Sequence, residues 1–113
     1  MSWREEWETK QFIRYLSDDG QNRARVRLQI ERGRVERYVV QYETVLDEKI
    51  YPVVRYDSAH GYPHRDLLDW SGQTIQKIEL DQPSDFAIAL TQAIIDLHEQ
   101  WRQLRADFLR RRR

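Results

Sequence analysis

The sequence has 113 residues and a mass of 13.8 kDa, room for one domain, and it has no cysteine, which excludes disulfides, thiolate metal centres and a cysteine nucleophile. Nineteen Lys and Arg balance nineteen Asp and Glu to a net charge of zero. No stretch approaches the ~20 apolar residues that span a bilayer, and a 12% aromatic share argues for a folded chain over a disordered one.

The opening residues Met1 to Glu6 carry no apolar run of the kind a signal peptide needs, so a cytoplasmic protein is expected. The first ten residues fit two forms. Ser2 with Glu5 makes a capping box and Trp3 with Trp7 an i,i+4 pair, as in a helical turn. The same residues also fit an edge strand running into Gln11–Leu16. Ser17-Asp18-Asp19-Gly20 is a turn.

Arg23–Glu31 alternates strictly: Ala24, Val26, Leu28 and Ile30 point one way, and Arg23, Arg25, Arg27 and Gln29 the other. After Gly33, Val35–Val45 is rich in β-branched and aromatic residues and places Tyr38, Val40 and Tyr42 on one face. Ile50–Tyr56 is a further strand, with Pro52 at an edge or near a strand start. Asp57–Pro63 is a loop, His64–Leu68 a short extended segment, Trp70-Ser71-Gly72 a turn, and Gln73–Leu80 the last strand.

Pro83-Ser84-Asp85 starts a helix with Ser84 at its N-cap. Its apolar stripe runs through Phe86, Leu90, Ala93, Ile94, Leu97, Trp101, Leu104 and Phe108 in steps of three and four. From 85 to 110 it spans roughly 39 Å, against ~20–27 Å for a strand of six to eight residues. The helix is therefore expected to outrun its sheet. Its far end, with Trp101, Leu104, Arg105 and Phe108, would meet a partner or a second copy of the chain, or be covered by Trp3 and Trp7. Residues 102–113 hold six arginines against the single acid Asp107, so the neutral total hides a basic tail. His98 lies off the stripe and is expected at the surface.

The densest polar cluster is Arg55-Tyr56-Asp57-Ser58-Ala59-His60, then Gly61-Tyr62-Pro63-His64-Arg65-Asp66. Three readings compete. His60 and His64 with Asp57 or Asp66 could ligate a metal, but HxxxH converges only on a helix, which Gly61 and Pro63 oppose. The imidazoles of His60 and His64 suit metal-independent RNA cleavage, as base and acid, with Arg55 and Arg65 clamping the phosphate and Tyr56 or Tyr62 stacking a base. The third reading is structural: paired charges and turn-stabilising side chains. Residues 23–37 add six arginines against Glu31 and Glu36. Arg25 and Arg27 in that row would track a phosphate backbone or would simply guard an exposed strand.

This cluster resembles the Arg-Tyr-Asp-Asn-Ala…His-His-Lys/Arg-His core of TumE-type toxins, bacterial proteins encoded beside an antitoxin. It is closer still to an uncharacterised bacterial family with a Tyr-Asp-x-Ala-His-Gly-x-x-His-Arg-Asp signature. Ser58 replaces the toxins' Asn and Asp66 their final His, and the loop between the histidines is shorter. The resemblance implies Tyr56, Asp57, His60, His64 and Arg65 as candidate site residues.

The expectation is a single α+β domain over residues 1–113. A twisted antiparallel sheet of five or six strands fills residues 1–81, and one long helix with its arginine tail fills 82–113. The expected function is a toxin-like component acting on RNA, without cofactor or metal and away from membranes, with an antitoxin or other protein partner and self-association. Tyr56, Asp57, His60 and His64 are the catalytic candidates, and Arg25, Arg27, Arg55 and Arg65 the phosphate binders. The alternative is a non-catalytic interaction module that uses the helix end.

Overall fold

Period-two alternation over most of the first eighty residues produces strands, and the single 3.6-period segment produces the helix. The structure, a computed structural model, describes residues 7–80 and 85–112, without the side chains of Trp7 and His60. In chain order it places β1 (Trp7–Tyr15), β2 (Asn22–Glu31), β3 (Arg34–Leu46), β4 (Lys49–Asp57), β5 (His64–Leu68), β6 (Thr74–Glu79) and α1 (Phe86–Arg110). The six strands form one antiparallel meander in the order β1-β2-β3-β4-β5-β6. The architecture is α+β, as the patterning predicts.

Of the two forms open to the N-terminal residues, the strand is found from Trp7 onward, because β1 pairs along its whole length with β2. Ser2, Trp3 and Glu5 lie outside the described residues. The β2–β3 hairpin turns on Arg32 and Gly33, both at positive φ (51° and 76°), the geometry that matches strand twist. Pro52 sits inside the sheet, opposite Glu43 at a register shift in β3. Its missing N–H is tolerated because β5 begins pairing with β4 only at Val54.

One face of the sheet carries Ala24, Val26, Leu28, Tyr38, Val40, Tyr42, Val54 and Tyr56, and α1 crosses it chiefly over β3, then β4 and β2. From the helix come Ala89, Leu90, Ala93, Leu97, Leu104 and Phe108. The helix N-cap is Asp85, whose carboxylate accepts from the Ala87 N–H at 2.7 Å. Ser84, expected in that role, lies outside the described residues. Asn22 anchors the polar end of this core. Its Oδ1 accepts from the Tyr42 hydroxyl (2.7 Å) and from Thr44 Oγ1 (2.9 Å), all three buried.

Tyr38 differs from Tyr42. Its ring packs edge-on against Phe86, yet its hydroxyl is buried with no hydrogen-bond partner among the described residues. An orphaned buried hydroxyl costs stability. Tyr38→Phe is therefore expected to raise stability by about 1 kcal/mol in a urea titration. A loss of that size instead would mean that the hydroxyl is satisfied.

The helix does not outrun the sheet. The expectation took strands of six to eight residues, but β3 has 13. At ~3.3 Å per residue β3 is about 43 Å long, against about 38 Å for the 25-residue helix. The far end is further closed by Trp70, from the β5–β6 turn. Its ring stacks on Phe108 at 4.3 Å, and its indole N–H donates to the Phe108 carbonyl at 2.9 Å. Tyr51 completes the cluster, 4.8 Å from Trp70. Leu104 and Phe108 are consequently core residues. Trp101 is half-buried beneath the Arg102 guanidinium, and Arg105 donates to Thr44 Oγ1 at 3.3 Å. The arginine tail is engaged too. Arg111 donates to the Leu68 carbonyl, Arg112 lies 4.7 Å over the Trp70 ring, and Arg110 pairs with Asp107.

Candidate functional site

The 55–66 motif folds as the end of β4, a one-turn 3-10 segment (Ala59–Gly61) and the start of β5. Ser58 fixes the loop. Buried, it donates its N–H to the Tyr38 carbonyl and accepts the Tyr38 N–H on its Oγ at 3.0 Å. Gly61, at φ 84°, adopts the left-handed conformation that reverses the chain. The return register then decides which side chains meet. Asp57 opposes His64 and Arg55 opposes Asp66, while Tyr56 opposes Arg65. Cross-strand partners share a face. Arg55, Asp57, His64 and Asp66 therefore occupy the sheet face opposite the helix, which we call the outer face.

There the His64 Nε2 lies 2.7 Å from Asp57 Oδ1 and 3.9 Å from Asp66 Oδ1. His64 is 2% exposed and Asp66 6%. Asp66 Oδ2 accepts from Thr74 at 3.3 Å, and the half-exposed Lys77 ammonium stands 4.0 Å from Oδ1. Two buried atoms of the group, His64 Nδ1 and Asp66 Oδ1, have no hydrogen-bond partner among the described residues. The imidazole and both carboxylates each present one donor atom within 4.8 Å of the others.

The expected site residues thus divide. Asp57 and His64 come together, joined by Asp66. Tyr56 is on the helix face, where its hydroxyl donates to Asp96, and burial followed by the Asp96 carboxylate pushes its pKa up. Arg65 shares that face and lines a groove of about 480 Å³ with Tyr56, Ile78, Ala93 and Asp96. The side chain of His60 lies outside the described residues.

The expected phosphate binders divide as well. Arg25 donates to both oxygens of the buried Glu43, at 3.1 and 3.3 Å, and Arg55 forks onto Gln41 Oε1 at 2.9 and 3.0 Å. Both guanidiniums are occupied. Arg27 is exposed and makes no ion pair among the described residues. Arg37 is in the same condition. It opposes Gln29, two residues along β2 from Arg27 and on the same face. Arg37 lines a cleft of about 570 Å³ with Glu36, Val39, Asp57, Ser58 and Gly61. A smaller hollow of about 230 Å³, lined by Thr9, Arg27 and Gln29, adjoins it through Arg37 and Val39. Asp57, 13% exposed at its side chain, is the member of the His64 group that reaches this cleft. Arg37 stands in the basic 23–37 stretch of the sequence, but only its register with β2 marks it as facing Arg27. His98 is exposed on the helix.

The family model described as Domain of unknown function (DUF7718) matches residues 1–113, and the chain belongs to that family. No curated protein and no solved structure matches it. No helix among the described residues is long and apolar enough to cross a membrane.

Proposed function

We propose that this DUF7718 chain is a toxin-like component that acts on RNA, with the strand lying across the outer face of the sheet and the Asp57–His64–Asp66 group at its chemical centre. The observation that carries this reading is the cleft itself. It brings a carboxylate backed by a buried imidazole, Asp57 on His64 at 2.7 Å, to the same concave surface as Arg37, with Arg27 in the adjoining hollow, both arginines without an ion pair among the described residues. Guanidiniums free of carboxylates are available to phosphate oxygens. Arg27, Val39, Asp57 and His64 sit in register on four successive strands. At ~4.8 Å per strand, Asp57 is about 10 Å from Arg27 along that row. A phosphate held by Arg27 or Arg37 would place a neighbouring nucleotide at Asp57. The likeness of the 55–66 motif to TumE-type toxins supports the same reading.

The alternative, an interaction module using the helix end, has less support, since Leu104 and Phe108 are buried and leave the half-buried Trp101 and Arg105 for a partner.

The test uses a single-stranded RNA. Arg27→Ala and Arg37→Ala are each expected to weaken binding and to lower the salt slope by about one. Asp57→Asn is expected to cut cleavage, or growth arrest on expression, at least tenfold with the fold intact by circular dichroism. If RNA affinity ignores both arginines and Asp57→Asn leaves cleavage and growth unchanged, the proposal fails.

A further inference from the structure

The orphaned atoms of the buried group call for an explanation. A neutral imidazole has one N–H. If Nε2 carries it toward Asp57, then Nδ1 and Asp66 Oδ1 are left as two buried acceptors with no donor. The residue best placed to neutralise Asp66 is Arg55, its cross-strand partner, but that guanidinium is turned to Gln41. Lys77, at 4.0 Å and half exposed, is beyond hydrogen-bond reach. Two carboxylates thus converge on one imidazole in a buried place, with the half-exposed Lys77 ammonium, at 4.0 Å from Asp66, as their partial balance.

We infer that Asp57, His64 and Asp66 form a binding site for a divalent transition-metal ion, of which Zn²⁺ fits best. The inference deepens the proposed function by naming the ion at that centre, and it rests on that reading only for what the ion would serve. The distances suit the ion. Ligand bonds of ~2.0–2.2 Å at the tetrahedral angle place any two ligand atoms of one zinc about 3.3–3.6 Å apart. The three donor atoms lie within 4.8 Å of one another, with pairs at 2.7 and 3.9 Å. Side-chain shifts of about an ångström or less bring the three atoms to that spacing. The donor set selects the metal class. One imidazole and two carboxylates are too few oxygens for Ca²⁺, and the nitrogen disfavours Mg²⁺. The ligands are held on two adjacent strands, with Asp66 two residues from His64 on the same face. The metal on Nε2 gives Asp66 Oδ1 its partner and moves the imidazole proton to Nδ1, so that of the two orphaned atoms it accounts for the carboxylate oxygen. Asp57 reaches the cleft, so a fourth ligand would approach from there.

The test takes the untagged full chain. Isothermal titration with Zn²⁺, and with Co²⁺ as an optical probe, is expected to give one equivalent bound and a visible Co²⁺ absorption band. His64→Ala and the isosteric Asp66→Asn should each weaken binding at least tenfold, and His98→Ala should leave it unchanged. Absence of stoichiometric binding by the native chain overturns the proposal, as does equal binding by folded Asp66→Asn. Should both variants fail to fold, the native chain decides: one equivalent of Co²⁺ either gives the band and raises the thermal midpoint, or it does not and the site is refuted. RNA binding is followed separately, with Arg27→Ala/Arg37→Ala. Metal binding without RNA binding overturns only the functional reading, and RNA binding without metal overturns only this one.

Discussion

Phe108→Ala is expected to cost about 3–5 kcal/mol, a large part of the 5–15 kcal/mol that holds a domain of this size together. Phe108 is fully buried. One face of its ring stacks on Trp70 at 4.3 Å with an 18° interplanar angle, and Tyr51 approaches at 6.4 Å. Truncation leaves a ring-sized cavity between the last helical turn and the Trp70 turn. Because Trp70 also donates to the Phe108 carbonyl and Arg111 to the Leu68 carbonyl, backbone contacts hold the walls apart and limit collapse into the gap. Incomplete collapse puts the cost in the upper part of the range. The measurement is a urea titration with size-exclusion mass in parallel. If Phe108 instead served a partner interface, its removal would leave the monomer's stability within ~0.5 kcal/mol and change the mass. The two outcomes separate cleanly.

The misjudged helix end shows what a single sequence conceals. The alternation of Arg23–Glu31, the β-branched run at 35–45 and the helical stripe each report a local period, and each element was found. The expected overhang rests on strands of six to eight residues, whereas the run at 35–45 already spans eleven and β3 thirteen. β3 keeps Glu43 and Thr44 inside the strand because Glu43 pairs with Arg23 and Arg25 and Thr44 Oγ1 donates to Asn22 Oδ1. Those partners are some twenty residues away. The site divides on the same principle. Residue types pointed to 55–66, but whether His64 would face Asp57 or Tyr56 depended on the reversal at Ser58–Pro63. A slip of one residue exchanges the faces. Arg25 and Arg55 were plausible phosphate binders until cross-strand neighbours claimed them, and Arg37 gained interest only through the register with Gln29.

Alkaline pH is expected to unfold the protein in a narrow range above pH 10. Burial pushes the pKa of Tyr38 and of Tyr42 up to about 12, and the Asp57 charge adds to the effect on Tyr38. Tyr56 is raised by burial and by Asp96. Below pH ~10 both the folded and the unfolded phenols keep their protons, and stability is independent of these groups. Above it the unfolded phenols ionise while the folded ones do not. The unfolded state then binds fewer protons, and stability falls as pH rises. Each tyrosine contributes a slope of ~1.4 kcal/mol per pH unit until its folded pKa is reached. By pH 12 the three together remove several kcal/mol, a large share of the stability of a small domain. Urea midpoints should fall steeply from pH 10 to 11.5, with phenolate absorbance rising in step with loss of secondary structure. Tyr38→Phe removes one of the three titrations and should reduce the slope by about a third, in addition to raising stability at neutral pH. A urea midpoint that stays level across that range would mean that these phenols are reached by solvent and ionise without unfolding the sheet–helix core.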